Sequence, residues 1–234
     1  MPLLRVRGHD VYTPTLTGMG ERSHLIGMEI DLDTHIRDVV NVLEFEDLTD
    51  VILVGHSYAG CLLPGIAVAA SQRLHHLVWL DAMVLNEEES MFECLGIMSQ
   101  QQAREALTAI QGGDLSPLEG ITDYNSDDLW CGRIYDIHDD DLRNLVKSKL
   151  TGHPLLTILT PLNAPGFDKL PISKTYISCT KGQIYRKRIF PRWVSPDRAA
   201  ERGWSIIEVA AGHDLMVDNP ELLADVLNNI ADKS

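Results

Sequence analysis

The chain reads as an α/β protein: a mostly parallel sheet with helices on both faces. Three observations predict it. Apolar runs such as Val51-Ile52-Leu53-Val54 and His76-Leu77-Val78-Trp79-Leu80 show no polar alternation, as expected of strands buried on both faces. Longer segments with a 3.6-residue apolar period separate such runs. Strands alternating with helices imply a parallel sheet covered on two sides.

The elements follow in order. Val11-Tyr12-Thr13, after a Gly-His-Asp turn, predicts a short strand. Asp33 is the expected cap of a helix whose apolar positions are Ile36, Val39, Val40 and Leu43. The Val51–Val54 strand leads through Gly55-His56-Ser57-Tyr58-Ala59-Gly60 into a helical run from Cys61 to Ala70, where Pro64 predicts a kink. His76–Leu80, Thr175–Ser178 and Ser205–Val209 are further buried strands. The last helix opens at Asn219 with Pro220 as its first residue and puts Leu222, Leu223, Val226, Leu227 and Ile230 on one face. Between Asp81 and Lys174 the alternation breaks. That interval holds helical patterns, such as Ser99 to Ile110, and an acidic stretch from Asp136 to Asp141. It reads as a helical cap insertion over about residues 86–170, within a single domain spanning 1–234. Asp139, Asp140 and Asp141 are consecutive and cannot converge on one ion from a helix, so the stretch reads as a solvated helix start.

Composition narrows the function. With 234 residues, 44% hydrophobic and 23% charged, the chain is globular rather than disordered. Its 20 Lys+Arg against 34 Asp+Glu give a net charge of −14, a field that repels phosphate backbones and anionic lipid surfaces. Nucleic acid and membrane partners are therefore not expected. The longest stretch without a charged or strongly polar side chain, Ala59–Ala70, falls far short of the about 20 residues of a bilayer span. Met1 to Asp10 carries no apolar core of a secretory signal. Cys61, Cys94, Cys131 and Cys179 show no CxxC pair, which predicts thiols in a reducing, cytoplasmic compartment. The histidines His24, His35, His75, His76, His138 and His153 show no paired spacing with carboxylates, so neither metal nor cofactor is predicted. Gly18-x-Gly20 is too weak a signal for a phosphate loop.

The chemistry centres on Ser57. A strand, a tight turn with serine at its apex and then a helix is the geometry of a nucleophile elbow, G-x-S-x-G. Here the fifth position is Ala59, and the glycine is displaced to Gly60. A serine that merely capped a helix would give the same short pattern. The second element decides between them: His213 follows the last strand in Gly212-His213-Asp214, in the order that a serine and its general base take on such sheets. The helix N-terminus behind Ser57 favours a developing oxyanion, and the backbone amide of Tyr58 is placed to donate to it.

Gly8-His9-Asp10-Val11-Tyr12-Thr13-Pro14-Thr15-Leu16-Thr17-Gly18, with Gly20-Glu21-Arg22-Ser23-His24-Leu25, resembles a bacterial α/β-hydrolase esterase family related to plant methyl esterases and hydroxynitrile lyases. The resemblance continues through the elbow, Leu77 to Ala82, Tyr176 to Thr180 and Gly212 to Val217. It implies the α/β-hydrolase fold and hydrolysis of a small-molecule carboxylic ester through an acyl-enzyme. In that family the orienting acid follows the strand that here reads Thr175–Ser178, yet Cys179-Thr180-Lys181-Gly182-Gln183 holds no carboxylate. Asp81, at the end of the neighbouring strand, is the first candidate, Asp197 the second. Asp214 is third, because it adjoins His213 and has difficulty reaching the inner ring nitrogen. A hydroxynitrile lyase would need a lysine at the pocket, for which Lys174 or Lys181 are the candidates. An inactive, ligand-binding relative is the third option.

Met83, Met91, Met98 and Trp130 read first as core gap-fillers and second as pocket lining. The family likeness starts at Pro2-Leu3-Leu4, resembling the end of a first helix that a strand and a His-Gly loop precede. That loop supplies a second oxyanion donor, and nothing here matches it. The expectation is that the first strand is missing, with either a truncated start site or a protein that is weakly stable and poorly active as written. Oligomeric state is left open, with a homodimer among the options.

Overall fold

The computed structural model describes residues 1–27, 29–118, 135, 137–181, 183, 190 and 195–233. Its sheet has four parallel strands, β1 (Val51–His56), β2 (Leu74–Leu80), β3 (Ser173–Cys179) and β4 (Ser205–Val209), side by side in chain order. The register pairs His56 with Leu80, Leu80 with Ile177, and Cys179 with Val209. All carboxyl ends therefore open onto one edge.

Six helices of seven or more residues are described: α1 (Leu32–Phe45), α2 (Leu63–Ala70), α3 (Gln100–Gln111), α4 (Asp140–Lys147), α5 (Ser195–Glu201) and α6 (Pro220–Ala231). Successive strand side chains point to opposite faces, and the core divides accordingly. Leu77, Trp79 and Tyr176 join the cluster that packs against α1, α2 and α5. Val78, Leu80, Ile177 and Cys179 join a second cluster that packs against α6. Trp79 is fully buried, with its ring 4.3 Å from that of Trp204 and tilted by 33°. Burial on both faces explains why β2 and β3 read as unbroken apolar runs.

β1 differs from expectation. Among the described residues it pairs only with β2, and Val54 is 37% exposed, so this strand is a half-buried edge. Val11-Tyr12-Thr13 forms no strand. An extended segment becomes a strand only by pairing, and here the Val11 carbonyl accepts instead from the Arg5 guanidinium at 2.9 Å. The cap of α1 is Asp31, not Asp33: its carboxylate accepts from the Thr34 amide at 2.8 Å. Asp33 sits in the first turn, where a negative charge still favours the helix dipole. Ile36, Val39 and Leu43 are buried, as the period requires. Pro64 makes no kink. A 3₁₀ turn over Ser57–Cys61 intervenes, so α2 begins at Leu63 and Pro64 falls in its first turn, where no N–H is needed. α6 starts as expected, with the Asn219 side chain accepting from the Leu222 amide at 3.1 Å.

Between β2 and β3 the described residues contain helices and loops but no strand. Ser99 caps α3 in a capping box with Gln102, and Asp139 caps α4 with Asp140 and Asp141 in its first turn, so these three carboxylates form a helix start, while Asp136 lies outside the described residues. Phe92, Met98, Ala103, Ala106, Ile110, Leu156 and Leu159 form a separate small core there. Met83 and Met98 are buried in core clusters and Met91 packs beside one; Trp130 lies outside the described residues. Cys61, Cys94 and Cys179 are buried cysteines, and Cys131 lies outside the described residues. No described helix is long and apolar enough to cross a membrane.

Candidate active site

Ser57 follows β1 directly and sits at φ 53°, a left-handed conformation that non-glycine residues rarely adopt. The turn is tight because strand and helix nearly touch. A Cβ on Gly55 would lie 2.8 Å from the Ala59 carbonyl oxygen, and one on Gly60 would lie 2.5 Å from that of Met83. The close approach thus falls at Gly60, which is why the fifth motif position tolerates Ala59. The Met83 amide donates to the Ser57 carbonyl at 3.1 Å and ties the elbow to the segment after β2.

Three side chains from three strand ends meet at this edge. Ser57 Oγ lies 2.9 Å from His213 Nε2, and His213 Nδ1 lies 2.7 Å from Asp81 Oδ2. His213 is fully buried and Asp81 nearly so. Asp81 is also left-handed, at φ 43°, with its amide donating to the Ile177 carbonyl at 2.8 Å. Its second oxygen accepts from the Cys179 amide at 3.2 Å. The end of β3, where a carboxylate was sought, thus supplies an amide that holds the carboxylate of β2. Asp197 lies exposed in the first turn of α5, and Asp214 directs a carboxylate oxygen to within 4.0 Å of His56 Nε2. Neither occupies the place of Asp81 on His213 Nδ1.

Other contacts at this edge are not among the sequence-based assignments. His56 Nε2 donates to the His213 carbonyl at 2.9 Å, bracing the loop that carries the imidazole. The Tyr135 ring stacks on His213 at 6.1 Å, 16° from parallel. The Tyr58 hydroxyl is 2.8 Å from His35 Nδ1, and the His153 ring meets the Tyr58 ring edge-on at 4.5 Å. Burial raises the Tyr58 phenol above its ordinary value and lowers both imidazoles, His153 down to about 4. These groups are therefore neutral near pH 7. Only His56, adjacent to Ser57 in the motif, could have been marked from the sequence; His35 and His153 are brought in by packing across long separations.

Lys174 is placed at the opposite end of the sheet. It is the second residue of β3, and its ammonium donates to the Leu170 and Ile172 carbonyls at 3.1 and 3.0 Å. Lys181 is exposed, and its amide donates to the Ala211 carbonyl.

Fold and strand-end geometry define a hydrolase-type α/β protein, and comparison with known proteins agrees. Residues 1–226 match the alpha/beta hydrolase family, and the chain belongs to it. It is 33% identical over 230 residues to a carbendazim hydrolyzing esterase of Nocardioides sp. (strain SG-4G), covering 96% of this chain and 89% of that protein. Among solved structures it superposes on an extracellular alpha/beta-hydrolase from a Paenibacillus species with a TM-score of 0.75 at 19% identity, over 97% of this chain and 89% of that one. A methylesterase from Arabidopsis gives a TM-score of 0.63 at 18% identity, over 100% and 91% of the two chains. These structural likenesses bear on the fold.

Proposed function

We propose that the protein is a serine esterase that cleaves a small carboxylic ester through an acyl-enzyme. The Ser57–His213–Asp81 hydrogen-bond chain, at 2.9 and 2.7 Å, carries the reading. His213 Nε2 takes the Ser57 proton as Oγ attacks the ester carbonyl, and the same proton passes to the leaving alkoxide. Water then attacks the acyl-enzyme with His213 again as base. Asp81 fixes the tautomer, keeping the proton on Nδ1 and the lone pair on Nε2, and stabilises the imidazolium. The Tyr58 amide is the oxyanion donor we assign. The insertion over about residues 86–170 is assigned as a cap that shields the acyl-enzyme. The relative's printed activity supports hydrolysis of ester-type bonds, so carbendazim belongs in the substrate panel.

Labelling with a fluorophosphonate, followed by a panel of p-nitrophenyl esters and carbendazim, tests the reading. Wild type should be labelled on Ser57 and turn over at least one ester, while Ser57→Ala should do neither. Absence of labelling in the folded wild type would exclude the serine mechanism.

A further inference from the structure

We propose that the Tyr58 hydroxyl and His35 form a buried clamp that orients the Tyr58 backbone amide toward the oxyanion, which makes both positioning residues for ester cleavage. The inference rests on the serine-esterase reading above and extends it to groups outside the triad. Proton positions along the clamp follow from its ends. His35 Nε2 lies 2.8 Å from the Thr17 carbonyl oxygen, which can only accept, so Nε2 carries the hydrogen. A neutral imidazole then presents a lone pair at Nδ1, and the Tyr58 hydroxyl, 2.8 Å away, donates to it.

The far end of the clamp is itself fixed. The Thr17 amide and hydroxyl donate to the two Asp38 oxygens at 2.6 and 2.8 Å. Asp38 and His35 are one turn apart on α1, so this helix grips the Thr17 loop twice. His35 is fully buried, and its burial favours the neutral ring that the clamp needs.

The elbow requires such a restraint. Ser57 at φ 53° is strained, and strained backbone persists only where its surroundings over-determine it. The Met83 amide holds the Ser57 carbonyl on one side of the turn. On the other side, the Tyr58 ring is pinned at its tip by His35, with Thr157 a second side-chain partner of the hydroxyl, and along its edge by His153. The peptide between Ser57 and Tyr58 bears the assigned oxyanion amide, and it lies between these two anchors. A phenylalanine would fill the same volume; only a hydroxyl gives a directional hold.

The test uses steady-state kinetics on p-nitrophenyl acetate and the rate of fluorophosphonate inactivation, with melting temperatures recorded beside them. Tyr58→Phe should lower kcat about tenfold, leave KM within about twofold, and slow inactivation in parallel. His35→Leu should match it, and the double variant should be no worse than either single one. His35→Asn, whose Oδ1 can stand in for the Nδ1 acceptor, should stay within about threefold of wild type. An unchanged kcat in Tyr58→Phe, with or without a lower melting temperature, would overturn the clamp, as would a change confined to KM. If His35→Leu fails to fold, Tyr58→Phe and His35→Asn still decide the matter. Should wild type hydrolyse no ester and take no label, the serine-esterase reading fails first and the clamp falls with it.

Discussion

Ser57 and Asp81 share an unusual feature: both sit on left-handed backbone, at φ 53° and 43°. For an L-residue that conformation costs on the order of 1 kcal/mol relative to glycine. The strain sets the direction of two side chains at the sheet edge. Replacing Ser57 should therefore separate chemistry from strain. Ser57→Ala and Ser57→Gly should both lose ester turnover, while Ser57→Gly unfolds at higher urea than Ser57→Ala, by about 1 kcal/mol. Equal unfolding midpoints would show that the turn stores no strain. Asp81→Asn should reduce kcat by about 10³–10⁴-fold with little change in KM, because the amide no longer fixes the tautomer or stabilises the imidazolium. Asp197→Asn, altering an exposed carboxylate on α5, should leave kcat within about twofold. Comparable losses in the two variants would reject Asp81 as the orienting acid.

At the scale of elements, the strands were legible where burial on both faces leaves a continuous apolar run, as in β2 and β3. Val11-Tyr12-Thr13 has the composition of a strand but no described neighbour to pair with, and pairing is not a property of the segment itself. Pro64 was misread because the 3₁₀ turn after Ser57 shifts the helix start to Leu63, a change set by the elbow rather than by propensity. The position of Asp81 beside His213 was legible because strand ends of a parallel sheet converge. The contact between His35 and the Tyr58 hydroxyl was not, since nothing local distinguishes a buried histidine with a distant partner. The displaced motif glycine has a measurable counterpart. Gly60→Ala should cost about 1–3 kcal/mol and lower kcat, because its Cβ meets the Met83 carbonyl and the Ala82 side chain. Ala59→Gly should leave turnover near wild type. Urea unfolding and kcat of the two variants check this, and a harmless Gly60→Ala would contradict the close approach.

Across the whole molecule, the desolvated histidines His153 and His35 make stability depend on acidity. Burial holds His153 down to about 4, against an ordinary 6.5 in the unfolded chain. As pH falls through 6.5 the unfolded chain takes up this proton first, and stability declines until the folded imidazole also protonates near 4. The loss is on the order of 3 kcal/mol, fully avoided only above pH 6.5. His35 is lowered by the same cause and adds with the same sign. His153 Nε2 donates to Thr157 Oγ1, whose own proton goes to the Pro154 carbonyl, so a glutamine can replace that donor. His153→Gln should flatten the fall in unfolding free energy between pH 6.5 and 4 by most of that amount. Urea titrations across that range would detect it; identical pH slopes in the two proteins would rule it out.

The Trp79–Trp204 stack gives the fold an optical signature of its own. Indoles 4.3 Å apart and tilted by 33° couple their transitions, which gives a paired positive and negative band in circular dichroism. The Trp79 indole N–H donates to the Gly60 carbonyl at 3.1 Å, so one chromophore is anchored to the turn behind Ser57. The other belongs to the loop before β4, the strand that leads to His213. A spectrum recorded without substrate therefore reports whether the two halves of the sheet that bring serine and imidazole together are in register.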